Sequence, residues 1–183
     1  MEAVNKYQIG KLLKIATITI LGTLLLTISA KIKIPFYPVP MTMQTFAILL
    51  IGITFGAKIG LATVTLYLFE GIIGLPVFAN SPEKGIGLVY FIGPTMGYLI
   101  GFLIAVFLSG YFEYEKNFIY IFIKLLFAVS FIYIFGLMWL GYSIGWDKPI
   151  LKFGAQPFLI AELFKLLRLV ILSPYIKKLK KII

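Results

Sequence analysis

The sequence predicts an all-α fold: a six-transmembrane-helix polytopic membrane protein built as a single domain. Three observations carry this. Of its 183 residues 61% are hydrophobic and 13% charged, with a mean hydropathy of +1.02. A soluble domain of this size would have to expose large apolar patches. Apolar runs recur near the length of about 17 to 25 residues that crosses a hydrocarbon core. No Ser/Gly linker or low-complexity tract divides the chain.

The first expected span, about 9–30, is too long for a signal h-region and has no small-residue cleavage site after it, so it reads as a retained helix. The second and third, 41–57 and 59–75, are short and separated only by Lys58, which predicts a tight helical hairpin. The fourth, 94–112, carries Gly93, Gly97 and Gly101 at intervals of four, a small-residue stripe for close helix packing. The fifth covers 118–142, and the sixth, 157–176, follows Pro157, a residue suited to a helix start.

Six spans put both termini on one side of the membrane. That side collects Lys6, Lys11, Lys14, Lys58, Lys116, Lys177, Lys178, Lys180 and Lys181, against Lys31, Lys33, Lys84, Lys148 and Lys152 opposite. The bias predicts a multi-pass cell-membrane protein with cytoplasmic termini. It also accounts for the net charge of +10, because no basic face is left over for nucleic acid. Eight of the nine prolines then fall at or beyond the outer helix ends. The outer loops are therefore stiff and pre-shaped, above all IPFYPVPMTMQTF (34–46).

Cys and His are both absent, which removes disulfides, thiol chemistry and the usual zinc and haem ligation, so no metal and no cofactor is expected. No Walker-type GxxxxGK[ST] occurs, so the chain does not itself hydrolyse ATP through a P-loop. Enzyme chemistry in a bilayer needs clustered His, Cys or paired acids at depth, and a channel needs polar rings; neither pattern is present. What remains is a small-molecule binder with an outward-facing pocket.

Ionisable groups inside spans mark function by default. Glu162 and Lys165 lie three apart on one face of the last span, near its outer end, where the helix start also favours an anion. An amine suits a carboxylate, and a carboxylate suits an N–H donor such as a urea. Glu70 reads as structural, pairing with Lys58 or another lysine, and Lys124 as a snorkelling cation. Gln44 is a neutral donor and acceptor beside the proline-rich loop. Thr19, Gly22, Thr23 and Thr27 form a small, weakly polar stripe that fits either internal packing or a partner helix.

Four segments in this order resemble a known family: VPMTMQTFAILLIG (39–52), YLFEGIIGLPVFA (67–79), GPTMGYLIGF (93–102) and QPFLIAELFK (156–165). They are similar to the biotin-specific substrate-binding subunits, the BioY family, of energy-coupling-factor transporters, over nearly the whole chain from about Ala30. The last segment departs from the family pattern Pro-Phe-x-Pro-Gly-Asp with a lysine three residues further on. Pro157, Phe158 and Lys165 match; Ile160, Ala161 and Glu162 replace the second proline, the glycine and the aspartate. Glutamate keeps the acceptor and extends its reach by a methylene.

The resemblance implies a subunit that captures biotin near the outer face, between the last helices and the outer loops, under the loop joining the first two helices. It implies partners too: a transmembrane coupling subunit and two cytoplasmic ATPase subunits, with the capture subunit toppling in the lipid bilayer. Glu162 and Lys165 would orient the polar ends of biotin, with Gln44 and Asn80 as further polar contacts. Phe78, Tyr90 and Tyr98 would be aromatic walls, with Gly93 beside them and Trp146 a weaker candidate. The family's docking face on the first helix is alanine-rich; here Thr19, Gly22, Thr23 and Thr27 would serve. The rival readings are a sister subunit for thiamine or riboflavin, against which GLPVFA and GPTMGY argue, and a non-transporting membrane scaffold.

Overall fold

The computed structural model describes residues 2–114 and 117–180, with side chains over 8–114 and 117–176. Helix α1 (Glu2–Lys31) leads into a two-stranded antiparallel strap, β1 (Lys33–Ile34) and β2 (Met41–Thr42), with Lys33 opposite Thr42. The stiff proline segment predicted from sequence forms the bend of this strap. Helix α2 (Gln44–Ile72) follows directly. After an irregular loop and a 3-10 turn (Gly87–Ile92) come α3 (Met96–Tyr111) and α4 (Phe118–Ile144). A short α5 (Ile150–Gly154) and a 3-10 turn (Gln156–Phe158) deliver the chain to α6 (Leu159–Lys180).

Helix α2 is a hairpin. At Gly56 the backbone adopts φ 81°, ψ 172°, a conformation that glycine enters cheaply and other residues do not. The arms 44–55 and 57–72 fold back on each other, and a Cβ on Gly60 would lie 3.5 Å from the Gly52 Cα. The turn is thus at Gly56 and not at Lys58, because only the glycine supplies that backbone geometry. Counting both arms, the described residues form six long helical segments. By length and composition 8–31 and 118–144 are each apolar enough to cross a membrane, and so is 44–72 when both arms are taken together; α3 is a shorter apolar helix. Glu162, Lys165 and Arg168 make α6 more polar than these.

The α2 hairpin is the hub against which α1, α3 and α6 pack, with α4 lying on α3 and α6. The glycine stripe of α3 works as predicted. Cβ atoms at Gly97 and Gly101 would run into backbone of Phe135 and Ile132, so α3 and α4 meet main chain to main chain. Gly110 has the same relation to Gly56 and Ala57 at the hairpin turn. Asn117 caps α4, its side chain accepting from the Ile119 N–H at 2.9 Å.

Of the two readings open for the α1 stripe, internal packing fits the structure, and Glu70 lacks, among the described residues, the lysine partner expected for it. Thr19 and Thr23 are buried, and a Cβ on Gly22 would strike Thr63, so this stripe of α1 is covered by the second arm of α2. Thr19, Gly22, Thr23 and the half-buried Thr27 therefore serve packing within the chain rather than an open docking face. Glu70 forms no ion pair among the described residues. Lys58 stands twelve residues away on the same arm, about 18 Å along the helix axis. Lys124 instead donates to the Glu113 carbonyl at 2.6 Å, turned to its helix end as expected. Of the lysines behind the charge bias, Lys6, Lys116, Lys177, Lys178, Lys180 and Lys181 lie outside the described side chains.

Candidate functional site

The first two turns of α6 present Glu162 and Lys165 to the strap and to the start of α2. Their charged ends meet at 2.7 Å, and both residues are buried, 6% and 7% exposed. Thr45, on the first turn of α2, ties them together. Its hydroxyl accepts from Lys165 at 3.0 Å and donates to Glu162 Oε1 at 2.9 Å. Lys165 also donates to the Thr42 carbonyl in β2 at 2.7 Å. One ammonium on α6 thus locks β2 and the start of α2, which adjoin each other but lie 123 and 120 residues away in sequence.

A buried ion pair is favourable only where its remaining polar atoms are also satisfied. Here one is not. Glu162 Oε2 is buried with no hydrogen-bond partner among the described residues. Glu162 lines a cavity of about 50 Å³, walled by Val39 to Thr42 of the strap, Tyr98 and Phe102 of α3, Ile132 and Tyr133 of α4, and Phe158. Glu162 thus brings a carboxylate with one unpaired oxygen to a cavity of mixed aromatic and aliphatic walls, an acceptor for an N–H donor.

The sequence-predicted residues divide into two groups. Tyr98 and Glu162 line the cavity, with Lys165 bonded directly behind Glu162. Tyr98 is fixed by its hydroxyl, which donates to the Gly154 carbonyl in α5 at 2.7 Å. Gln44, Phe78, Asn80, Tyr90 and Gly93 are not on the cavity wall. Gln44 is buried and donates to Tyr67 Oη at 2.8 Å; Tyr67 in turn donates to the Val77 carbonyl at 3.0 Å. Phe78 stacks on Tyr90 with ring centroids 4.6 Å apart. Burial pushes the Tyr90 phenol above the usual tyrosine range, while hydrogen bonds at Thr95 and Asn80 pull it back. The Gly93 carbonyl accepts from Trp139 Nε1 at 2.9 Å. Trp146 is an exposed residue beyond the end of α4.

Asn80 belongs to a clamp across the top of the molecule. Its Oδ1 accepts from Lys33 at 3.3 Å, and Lys33 also donates to the Ala79 carbonyl at 2.6 Å. Lys31 donates to the Phe78 and Ser81 carbonyls at 2.8 and 2.6 Å. The two lysines before the strap therefore hold the loop after α2. Thr42, Thr45, Phe102 and Tyr133 are site residues that the sequence did not single out. Threonine and aromatic side chains are ordinary in apolar helices, so only the pairing of Thr42 and Thr45 beside Gln44 offered a signal.

Membrane helices wrapped round a buried acid–amine pair, with a cavity of mixed aromatic and aliphatic walls beside it, define a multi-pass membrane protein that binds a small polar molecule. The chain belongs to the BioY family, whose sequence profile matches residues 4–181. It is similar to the biotin transporter BioY of Thermotoga maritima, 34% identical over 159 residues, covering 86% of this chain and 92% of that protein. It is also similar to a probable biotin transporter BioY of Pyrococcus horikoshii, 32% identical over 149 residues and covering 81% and 87%. Among solved structures it matches the S-component for biotin from an ECF-type ABC transporter. The TM-score there is 0.77 at 28% identity, covering 92% of this chain and 93% of that one.

Proposed function

We propose that this chain is the biotin-capture subunit of an energy-coupling-factor vitamin importer, its 183 residues acting as a single integral membrane domain. The observation that carries the proposal is Glu162, whose carboxylate brings one unpaired oxygen to a cavity of mixed aromatic and aliphatic walls. A ureido N–H is the donor such an oxygen takes, and a charge-assisted bond of this kind is worth about 1.5 to 3 kcal/mol. Lys165 holds Glu162 in place and supplies positive charge for a ligand carbonyl or carboxylate. Tyr98, Phe102, Tyr133 and Phe158 provide the flat apolar walls that a bicyclic ring system packs against. Gln44, Phe78, Asn80, Tyr90 and Gly93 act one step back, by holding the strap and the loops in place.

The cavity holds about 50 Å³, against roughly 300 to 1,000 Å³ for a typical small-molecule site. Admission therefore requires the Val39–Thr42 wall to move, and the strap is the lid. The site binds and releases; no group in it has a nucleophile-and-base arrangement. The relationship to an S-component supports partnership with a transmembrane coupling subunit and two cytoplasmic ATPases. The lysine bias supports cytoplasmic termini, with the strap outward.

Titration of the purified protein in detergent with biotin, following Trp139 and Trp146 fluorescence or heat, tests this reading. Binding tighter than about micromolar, roughly −8 kcal/mol, is expected. Thiamine or riboflavin binding in place of biotin would assign the chain to a sister vitamin. Binding of none of the three would overturn the capture role.

A further inference from the structure

A second concavity, about 350 Å³, opens on the other side of the strap, between it and α6. Its α6 wall is one helix face, Ala161, Phe164, Lys165 and Arg168, at spacings of three and four; Lys33 and Ile34 face it from the strap. No carboxylate lines it. Two of the three cations are already engaged: Lys33 with Ala79 and Asn80, Lys165 with Glu162, Thr42 and Thr45. Arg168 is not. It is exposed and has no ion pair or hydrogen bond among the described residues.

Its position makes this anomalous. Arg168 stands nine residues beyond the start of α6 at Leu159, about 14 Å along the axis, between exposed apolar side chains on the same helix. Helix side chains lean toward the N-terminus, so the guanidinium reaches back up the groove toward the strap. A cation among apolar, lipid-facing side chains is costly unless an anion meets it, and the described residues supply none. The flanking surface is apolar and open: Leu163, Leu167 and Ile171 are exposed.

We propose that this groove seats an anionic phospholipid from the leaflet on the strap side. The planar fork of Arg168 takes the phosphate, for which guanidinium geometry is suited. Phe164 and Ile34 flank the headgroup, and the acyl chains descend from it past the exposed Ile171 and Leu172, one turn further along α6. Lys33 and Lys165 set the sign of the field without giving up their own partners. Lipid retention in this groove and biotin binding in the buried cavity are separate equilibria, so either can fail without the other.

The test uses the full chain in detergent, titrated with short-chain phosphatidylglycerol or phosphatidylcholine and read by native mass spectrometry and thermal shift. Wild type should retain phosphatidylglycerol about tenfold more tightly than phosphatidylcholine, the difference expected for one charge-assisted contact. Arg168→Gln should lose that preference and Arg168→Lys keep part of it. Ala161→Trp, which fills the groove without touching the charge, should also release the lipid. Equal retention of both lipids by wild type would overturn the site, and so would unchanged phosphatidylglycerol retention in Arg168→Gln or Ala161→Trp. Loss of co-purifying transporter subunits in Arg168→Gln, with lipid retention intact, would assign this face to a protein carboxylate instead.

Discussion

Replacing Lys165 by methionine leaves Glu162 buried with Thr45 as its one remaining donor among the described residues. The variant therefore has two expected effects. Biotin binding should weaken by about 1.5 to 3 kcal/mol, and the melting temperature should fall, because an uncompensated buried charge is costly. Calorimetry and a thermal scan separate the two. Glu162→Gln leaves the buried Lys165 ammonium without a counter-charge, though still bonded to the Thr42 carbonyl and the Thr45 hydroxyl, so it should also lower the melting temperature while losing ligand. Equal affinity in Glu162→Gln would remove Oε2 from the binding role. Tyr98→Phe strands the Gly154 carbonyl and should cost about 1 to 3 kcal/mol of stability, read by thermal unfolding. At this scale the sequence exposed the ionised pair, since charge inside a span is self-announcing. It did not expose Thr42 or Thr45, whose contacts to Lys165 cross 123 and 120 residues of chain. Gln44 could not be assigned from sequence for a related reason: a buried amide looks the same whether it serves a ligand or bonds a neighbouring tyrosine, as it does in this structure.

The strap and the α2 hairpin are the elements that make the site. Pro35 and Pro40 stiffen the strap on either side of its bend, and β2 carries Thr42 onto Lys165. Changing both prolines to glycine should lower biotin affinity by about 1 to 2 kcal/mol through added freedom in the open strap, with little change in the heat of binding per contact. Unchanged affinity would mean that the strap's stiffness plays no part in closure. The α3–α4 contact gives a separate test: Gly101→Val pushes a branched side chain into the Ile132 backbone and should cost about 1 to 3 kcal/mol. The glycine stripe was legible because it depends only on spacing within one helix. The β pairing of the strap and the short α5 were not, since ladders of two residues and helices of five leave no periodic trace.

Across the whole molecule, polarity is divided between two ends. Lysine clamps, the strap and the proline-rich loops gather at one end, while short connections join the helices at the other. Because the natural chain contains no cysteine, single cysteines report sidedness cleanly. A cysteine at Lys84 should react with a membrane-impermeant maleimide on intact cells, and one at Glu113 should react only after lysis. The reverse pattern would invert the proposed orientation. Composition revealed the solvent, and the spacing of apolar runs revealed the number of helical segments. The location of the site needed three dimensions, because strap, α2 and α6 meet only when the bundle closes.

The glycine turn inside α2 also bears on how the protein is made. Its arms of 12 and 16 residues reach about 18 and 24 Å, each short of a hydrocarbon core roughly 30 Å thick. Neither arm is a good insertion signal alone, and both present backbone-close glycines that are unprotected until they meet. The pair must therefore enter the bilayer together, already bent. One dihedral at Gly56 then governs biogenesis as well as packing: a chain that failed to bend there would run on as a single long helix and deliver every later segment to the wrong compartment.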